Sequence, residues 1–290
     1  MTRFSQIIVP GPRDNIEDKL GIARLLLPIP NVCATVAVMA DGVGGEHGGE
    51  VASQITVKML LRRILSALAL YSDAPNTRDL APDTITTILL DAMLGANDAV
   101  LRRTVKDRHL KNMATTAVCA VAIADQLHIA WVGDSRAYVH TEGQLQRLTS
   151  DHSVTQRLID TGQLARQAAA SHPSAHRILR YVGQTEGFEP ELTMCPLSAG
   201  DIVLLCTDGL TDVVGDNQIG QTLELVRYGH LGTDDAARRL VRTALSAQTT
   251  DNTSVLLFEP IPGAQGLDRT RTGAFPTAIY EFCPAYSQGA

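Results

Sequence analysis

Basic charge is in short supply along this chain: 25 lysines and arginines stand against 31 aspartates and glutamates, a net charge of −6. A protein that grips nucleic acid needs the opposite balance, so that class of partner is not expected. Cysteine is scarce as well. The five cysteines, at 33, 119, 195, 206 and 283, form no C-x-x-C pair and leave an odd one over, which argues against both a disulfide framework and a zinc site. Long uninterrupted apolar runs are missing too. The stretches 25–40 and 51–70 are broken by Pro28, Pro30, Lys58, Arg62 and Arg63, so neither reads as a membrane span. The opening MTRFSQIIVPGPRDN has no apolar stretch of the signal-peptide kind. The expectation is a soluble, cytoplasmic monomer with no membrane partner. A core, by contrast, is well supplied: 44% of the 290 residues are hydrophobic and 19% charged, which excludes disorder as the main state.

Periodicity organises the chain. VCATVAVMA (32–40) is a short β-branched apolar run that suits a buried strand, and it ends at Asp41 and the glycine-dense segment 42–49. From Val51 to Leu70 the period becomes helical, with Val57, Leu60, Leu61, Ile64, Leu65 and Leu68 on one stripe. A loop is expected over 71–83. A second helix follows from Thr84 to about Val105, with Ile85, Ile88, Leu89, Ala92, Ala96 and Val100 inward. The runs 115–124, 127–133 and 136–140 read as successive strands, and Thr141-Glu142-Gly143-Gln144 as a turn into Leu145–Leu148. Residues 153–180 read as a helix plus an irregular flap around His172-Pro173. A strand at 202–206, helices at 216–228 and 234–247, and a last strand at 254–259 complete the pattern. After Pro260 the composition turns to Gly, Pro, Ser and Thr without a period, the signature of a weakly ordered tail. A contiguous strand block with helices in pairs favours an α+β fold.

Four aspartates stand at predicted strand ends beside small residues: Asp41, Asp134, Asp208 and Asp251. Any one alone reads as a turn former or helix cap. Together they say more, because antiparallel strands that leave and enter a sheet at one edge would bring Asp41, Asp208 and Asp251 together. Crowded carboxylates repel unless a cation sits between them. Oxygen donors favour Mg²⁺ or Mn²⁺ over zinc or copper. Gly42 and Gly209 follow two of the acids and allow close backbone approach. Near the N-terminus Arg13 suits a bidentate grip on phosphate, and Glu17 and Asp18 could orient waters. Other site types are absent: segment 42–49 is no P-loop, and Gly133-Asp134-Ser135-Arg136-Ala137 is no nucleophile elbow. No H-E-x-x-H occurs. His47, His152 and His172 read as loop or packing residues, and the helical stripes as core faces.

Taken in order, the motifs resemble those of the metal-dependent serine/threonine protein phosphatases of the protein phosphatase 2C family. They are Arg13…Glu17-Asp18, Asp41-Gly42-Val43-Gly44-Gly45, Gly133-Asp134-Ser135-Arg136, Thr207-Asp208-Gly209-Leu210 and Asp251-Asn252. The Gly-Gly after Asp41-Gly42 and the Ser171-His172-Pro173 segment resemble its bacterial branch. The resemblance implies a central β-sandwich of two antiparallel sheets with helix pairs on both outer faces. It covers a catalytic domain at 1–258, with a flap subdomain at about 153–182, and leaves 259–290 as the tail. It also implies a site with two, or with a further weaker ion three, Mn²⁺ or Mg²⁺ ions. In it Asp41 bridges both main ions, Asp208 and Asp251 complete one shell, and the Gly42 carbonyl serves the other. Asp134 with Asp208 matches the weaker third position, Glu17 and Asp18 act through bound waters, and Arg13 holds the substrate phosphate.

The implied activity is hydrolysis of phosphoserine and phosphothreonine in proteins by direct attack of a metal-bridging water, opposing a cognate Ser/Thr kinase. Ser135 then need not be a nucleophile. Two departures from the family pattern stand out. Val43 occupies the position of a histidine in eukaryotic members. The flap carries Ala175 and His176, with Arg177 one place late, where bacterial relatives place an arginine followed by Asn or Ser. The alternatives are a catalytically silent phosphoprotein-binding regulator and a phosphatase of small metabolites.

Overall fold

Strand alternation and helix stripes sort the apolar residues into three separate layers of core. The computed structural model describes residues 4–27, 32–43, 48–70, 82–169 and 172–260, together with the backbone of 279–282. A five-stranded sheet takes the order β1 (Phe4–Val9), β12 (Thr253–Phe258), β11 (Ile202–Cys206), β8 (Arg136–Thr141), β9 (Gln144–Arg147). A six-stranded sheet takes the order β10 (Glu191–Pro196), β7 (Gln126–Val132), β6 (Ala117–Ile123), β3 (Val32–Ala40), β2 (Lys19–Leu27), β13 (Ile279–Phe282). Every neighbouring pair is antiparallel. A two-residue ladder, β4 (Gly42–Val43) with β5 (Ala114–Thr115), continues beyond the end of β3.

Each central strand is buried on both sides, and its parity decides which layer a residue joins. In β3, Val36, Val38 and Ala40 face the helices while Ala37 and Met39 face the other sheet. In β11, Val203 and Leu205 meet that inter-sheet layer, and Ile202, Leu204 and Cys206 face the opposite helices. Helices α1 (Gly48–Leu70) and α2 (Pro82–Lys106) cover the six-stranded sheet. By length and composition α2 could cross a membrane, yet Ile85, Leu89, Met93, Ala96 and Val100 are spent inside this core. Helices α5 (Asp216–Arg227) and α6 (Thr233–Ser246) cover the five-stranded sheet. The result is the expected α+β sandwich in four layers, α-β-β-α.

Differences from the sequence reading are local. Helix α1 begins at Gly48 rather than near Val51, and a Cβ at Gly48 would sit 3.0 Å from that of Met113, so this glycine belongs to the packed helix start. The run 115–124 is two strands, since Thr116 breaks out to bind the backbone of Asp41. Strands β1, β2 and β10 lie where no strand is expected; the last has a polar, half-exposed pattern typical of an edge. Within the expected tail, Ile279–Phe282 pair with β2 at the sheet edge. Of the loop expected over 71–83, Pro82 and Asp83 instead open α2; its remainder, and the tail at 261–278 and 283–290, lie outside the described residues.

Burial in the middle layer predicts a contrast measurable by urea unfolding. Leu205→Ala, fully buried between the sheets, is expected to cost about 2–5 kcal/mol. Leu94→Ala, 45% exposed on α2, should stay within about 0.5 kcal/mol of the parent.

Candidate metal centre

The antiparallel register brings seven strand ends to one end of the sandwich. In the six-stranded sheet Lys19 pairs with Ala40, so Asp18 and Asp41 leave the ladder side by side. Ala117 pairs with Val132, which places Thr116 against Gly133 and hence Asp134 at the same end. In the five-stranded sheet Cys206 pairs with both Arg136 and Val255, so Asp208 follows at that end and Asp251 precedes it. The acids therefore do not share one sheet edge, as their spacing suggested: Asp41 leaves one sheet, Asp208 and Asp251 flank strands of the other, and Asp134 lies on the connection between the two. Between them lies a cleft of about 510 Å³, lined among others by Arg13, Glu17, Gly42, Asp134 and Asp251.

Backbone clamps hold this arrangement. The Asp41 N–H donates to Thr116 Oγ1 at 2.9 Å, and its carbonyl accepts from Thr116 N–H at 2.8 Å and Thr115 Oγ1 at 2.7 Å. Thr116 Oγ1 also meets Ser135 Oγ at 2.7 Å, so Ser135, 2% exposed, is a buried brace. Asn252 ties the N-terminal loop down: its Oδ1 accepts the Glu17 N–H at 2.7 Å, and its Nδ2 donates to the carbonyls of Pro10 and Asn15. His152, 7% exposed, does more than pack. Its Nδ1 accepts the Gly133 N–H at 3.1 Å, its N–H donates to the Gly133 carbonyl at 2.9 Å, and its ring stacks on Trp131. Two glycines are steric necessities: a Cβ on Gly42 would lie 2.3 Å from the Gly49 carbonyl oxygen, and one on Gly209 1.9 Å from that of Asn252.

Asp18 joins the two sheets. It is fully buried, and its Oδ2 accepts from Ser254 Oγ at 2.5 Å and Thr207 Oγ1 at 3.0 Å. Arg13 stands at the rim, 55% exposed, donating from Nη2 to Asp251 at 2.7 Å and from Nε to the Thr250 carbonyl at 3.0 Å. A guanidinium has five N–H donors, so three remain beyond those two bonds.

The electrostatics are those of crowded acids. Burial, then the charges of Asp18, Asp208, Asp134 and Asp251, pushes the Asp41 carboxyl well above the usual range. Asp208 is pushed up the same way, by burial and then by Asp134, Asp212 and Asp251. Asp134 is raised to about 7, chiefly by burial and then by Asp151. Asp18 is raised to about 6 by burial, against the pull of its Ser254 and Thr207 hydrogen bonds. Glu17 is raised by burial, with Arg13 opposing. Buried carboxylate oxygens are normally hydrogen-bonded, yet Asp18 Oδ1 and Asp208 Oδ1 have no protein partner. Acceptor-only oxygens left bare in a cluster of acids fit a hard divalent cation such as Mg²⁺ or Mn²⁺.

All eight expected site residues (Arg13, Glu17, Asp18, Asp41, Gly42, Asp134, Asp208 and Asp251) thus gather at one end of the sandwich. Four further participants went unread: Thr116, Asn252's positioning role, Asp212 and His176. Asp212 carried a signal, since it stands four residues after Asp208 and closes the single turn of α4 (Asp208–Thr211). The flap lies between β9 and β10. It begins with the short helix α3 (Val154–Asp160), capped by Ser153, whose Oγ accepts the Gln156 N–H at 3.2 Å. Beneath it runs a second groove of about 590 Å³ that shares Asp134, His176, Asp208 and Asp212 with the first cleft. Gly44, Gly45, His47 and Ser171 lie outside the described residues.

Fold and cleft together define a domain built to hold divalent cations at the end of an antiparallel sandwich. The chain belongs to the protein phosphatase 2C family, whose model, described as Protein phosphatase 2C, matches residues 27–247. It is 33% identical over 229 residues to the serine/threonine protein phosphatase PstP of Mycobacterium tuberculosis, covering 79% of this chain and 41% of that protein. The chain thus spans less than half the length of that relative. It is 32% identical over 226 residues to the serine/threonine phosphatase stp of Listeria monocytogenes, covering 77% of this chain and 84% of that one. Among solved structures it resembles the catalytic domain of PstP in complex with two manganese ions. There the TM-score is 0.67 and the identity 28%, over 89% of this chain and 97% of that one.

The raised carboxyls set a direction for stability against pH. A carboxyl whose folded pKa exceeds its unfolded value binds protons that the unfolded chain releases, so stability falls as pH rises through that interval. For Asp134 the interval runs from 3.8 to about 7. In EDTA, the Tm should therefore drop between about pH 5 and about pH 8. Asp134→Asn should flatten the drop, and Mn²⁺ should raise the Tm most at the alkaline end. A Tm of the metal-free chain that climbs over this range would contradict the crowded-acid picture.

Proposed function

We propose that this chain is a Mn²⁺- or Mg²⁺-dependent phosphoprotein phosphatase that hydrolyses phosphoserine and phosphothreonine by direct attack of water. The observation that carries the reading is the convergence of Asp41, Asp134, Asp208 and Asp251 on one cleft with Arg13 at its rim. The names of the M. tuberculosis and L. monocytogenes relatives support the substrate class. The two manganese ions of the PstP structure support the metal.

Asp41, Asp208, Asp251 and the Gly42 carbonyl are the groups that would hold two ions, with Asp134 available beside Asp208. Bound there, the ions supply the positive charge that acidifies a water at neutral pH and offsets the phosphoryl oxygens. The chain's own residues do the rest. Arg13, held in place by Asp251 and Thr250, presents its remaining donors to the substrate phosphate in the bidentate manner of guanidinium groups. Glu17, whose N–H is fixed by Asn252, lines the cleft and orients water there. Ser135 is shut away on Thr116, so attack by water needs no phosphoenzyme. Val43 has no proton to give, and the leaving oxygen takes its proton from solvent.

The reading extends to a cytoplasmic enzyme working against a Ser/Thr kinase. Among the described residues, Cys33, Cys119, Cys195 and Cys206 are all free thiols, as suits a reducing compartment.

Purified chain should release phosphate from phosphoserine and phosphothreonine peptides in Mn²⁺ and lose that activity in EDTA. Asp208→Asn should lower kcat by at least about 100-fold, while Arg13→Ala should act mainly on KM. Tight phosphopeptide binding with no metal-dependent release would replace this reading with that of a silent binder. Faster turnover of a small phosphorylated metabolite would move the substrate class instead.

A further inference from the structure

The outer face of α6 carries a charge pattern that packing does not explain. Its inner stripe, Ala236, Ala237, Leu240, Val241 and Ala244, is spent against the five-stranded sheet. On the other side Arg238, Arg239 and Arg242 stand exposed, in a chain whose net charge is −6. All three line a shallow groove of about 480 Å³ that also takes in Leu231, Asp235 and Ser246.

On α1 and α2, Arg63, Arg102 and Arg103 each pair with an aspartate. On α6, neither Arg239 nor Arg242 makes an ion pair among the described residues. Arg242 instead has Arg239 three residues before it and Arg238 four, spacings at which like charges on a helix repel each other. A partner that brings carboxylates relieves that repulsion and meets planar donor forks matched to its oxygens.

The groove ends beside the catalytic cleft. Ser246 lines it, Gln248 lines the groove beneath the flap, and Thr249 and Thr250 line the cleft. A single residue, Ala247, thus separates Ser246 from Gln248. At 1.5 Å per helical residue, Arg242 stands about 8 Å and Arg239 about 12 Å before the cap at Ala247. With the short step from there into the cleft, an extended peptide at about 3.3 Å per residue covers the separation in about four to six residues.

We propose that Arg239 and Arg242, with Arg238 beside them, form a docking surface for an acidic segment of the phosphoprotein substrate, about four to six residues from the phosphorylated side chain. The inference rests on the reading of the chain as a phosphoprotein phosphatase and adds a substrate preference to it. Acidic residues bound on α6 touch none of the reacting atoms, so their contribution falls on KM and leaves kcat alone. Charges on an exposed rim act over about 10 Å at about 0.1 M salt, and their attraction fades as salt rises.

The test compares phosphoserine peptides that carry glutamates four to six residues before or after the phosphoserine with peptides that carry glutamines there. With Mn²⁺ at low salt, the parent chain should show a KM about fivefold or more lower for a glutamate peptide. The kcat values should be alike, and the difference should vanish near about 0.5 M NaCl. Arg239→Gln combined with Arg242→Gln should erase the preference while p-nitrophenyl phosphate is hydrolysed at the parental rate. Equal KM values in the parent, or an undiminished preference in the double variant, would overturn the docking surface and leave the proposed function standing. Should the parent hydrolyse no phosphopeptide, the proposed function falls, and fluorescence anisotropy of an unphosphorylated glutamate peptide decides the surface separately: binding as tight to the double variant as to the parent would overturn it. Arginine-dependent binding to phosphatidylserine vesicles, with no preference for the glutamate peptide, would also overturn it and make this face a membrane contact.

Discussion

Like charge held at close quarters is the constraint around which this end of the molecule is organised. Two carboxylates about 5 Å apart repel by about 3 kcal/mol at an effective dielectric near 20, and here Asp18, Asp134 and Asp251 all act on both Asp41 and Asp208. A chain free to relax would spread them. The sandwich cannot, because each acid follows or precedes a strand whose register is fixed by the apolar layers on both of its faces. The fold thus carries a strain that protons relieve at low pH and cations relieve at neutral pH.

Rigidity at the cleft comes from polar bonds rather than from the core. Thr115 and Thr116 grip the backbone of Asp41, and Asn252 grips the loop that carries Arg13 and Glu17. Asp18 spans the two sheets through Thr207 and Ser254. Binding groups placed by backbone atoms leave little reorganisation for the moment of reaction. The same logic explains the glycines at 42 and 209, where neighbouring carbonyls approach too closely for any side chain. On the far side, the flap is joined to the body through the Thr115–Val182 bridge and the His176–Asp212 pair.

Much of this was legible in the residues. Helices α1, α2, α5 and α6 announce themselves by a period near 3.6, and strands β3, β7, β8, β11 and β12 by short apolar runs bounded by turn residues, as strands buried on both faces must. The site acids were visible because a carboxylate beside glycine at a strand end has few structural reasons to recur. Strands β1 and β2 were not read: their apolar runs lie next to the prolines and loops that flank them. Strand β10, half exposed at an edge, has too little apolar alternation to be seen. Thr116 and Asn252 were passed over because a threonine or asparagine in a loop has the same appearance whether it clamps a backbone or faces water.

By itself, the sequence determined the element types, the layered α+β architecture and the identity of the acids that gather in the cleft, because periodicity and side-chain chemistry are local properties. Only the tertiary structure decided that Asp41 comes from one sheet and Asp208 and Asp251 from the other, that Asp134 lies on the connection between them, and that Asp18 is a buried bridge. It alone set His176 of the flap against Asp212 of the body. Those relations span the chain from end to end, and distances across so many residues are fixed by strand register and sheet packing, which no local pattern records.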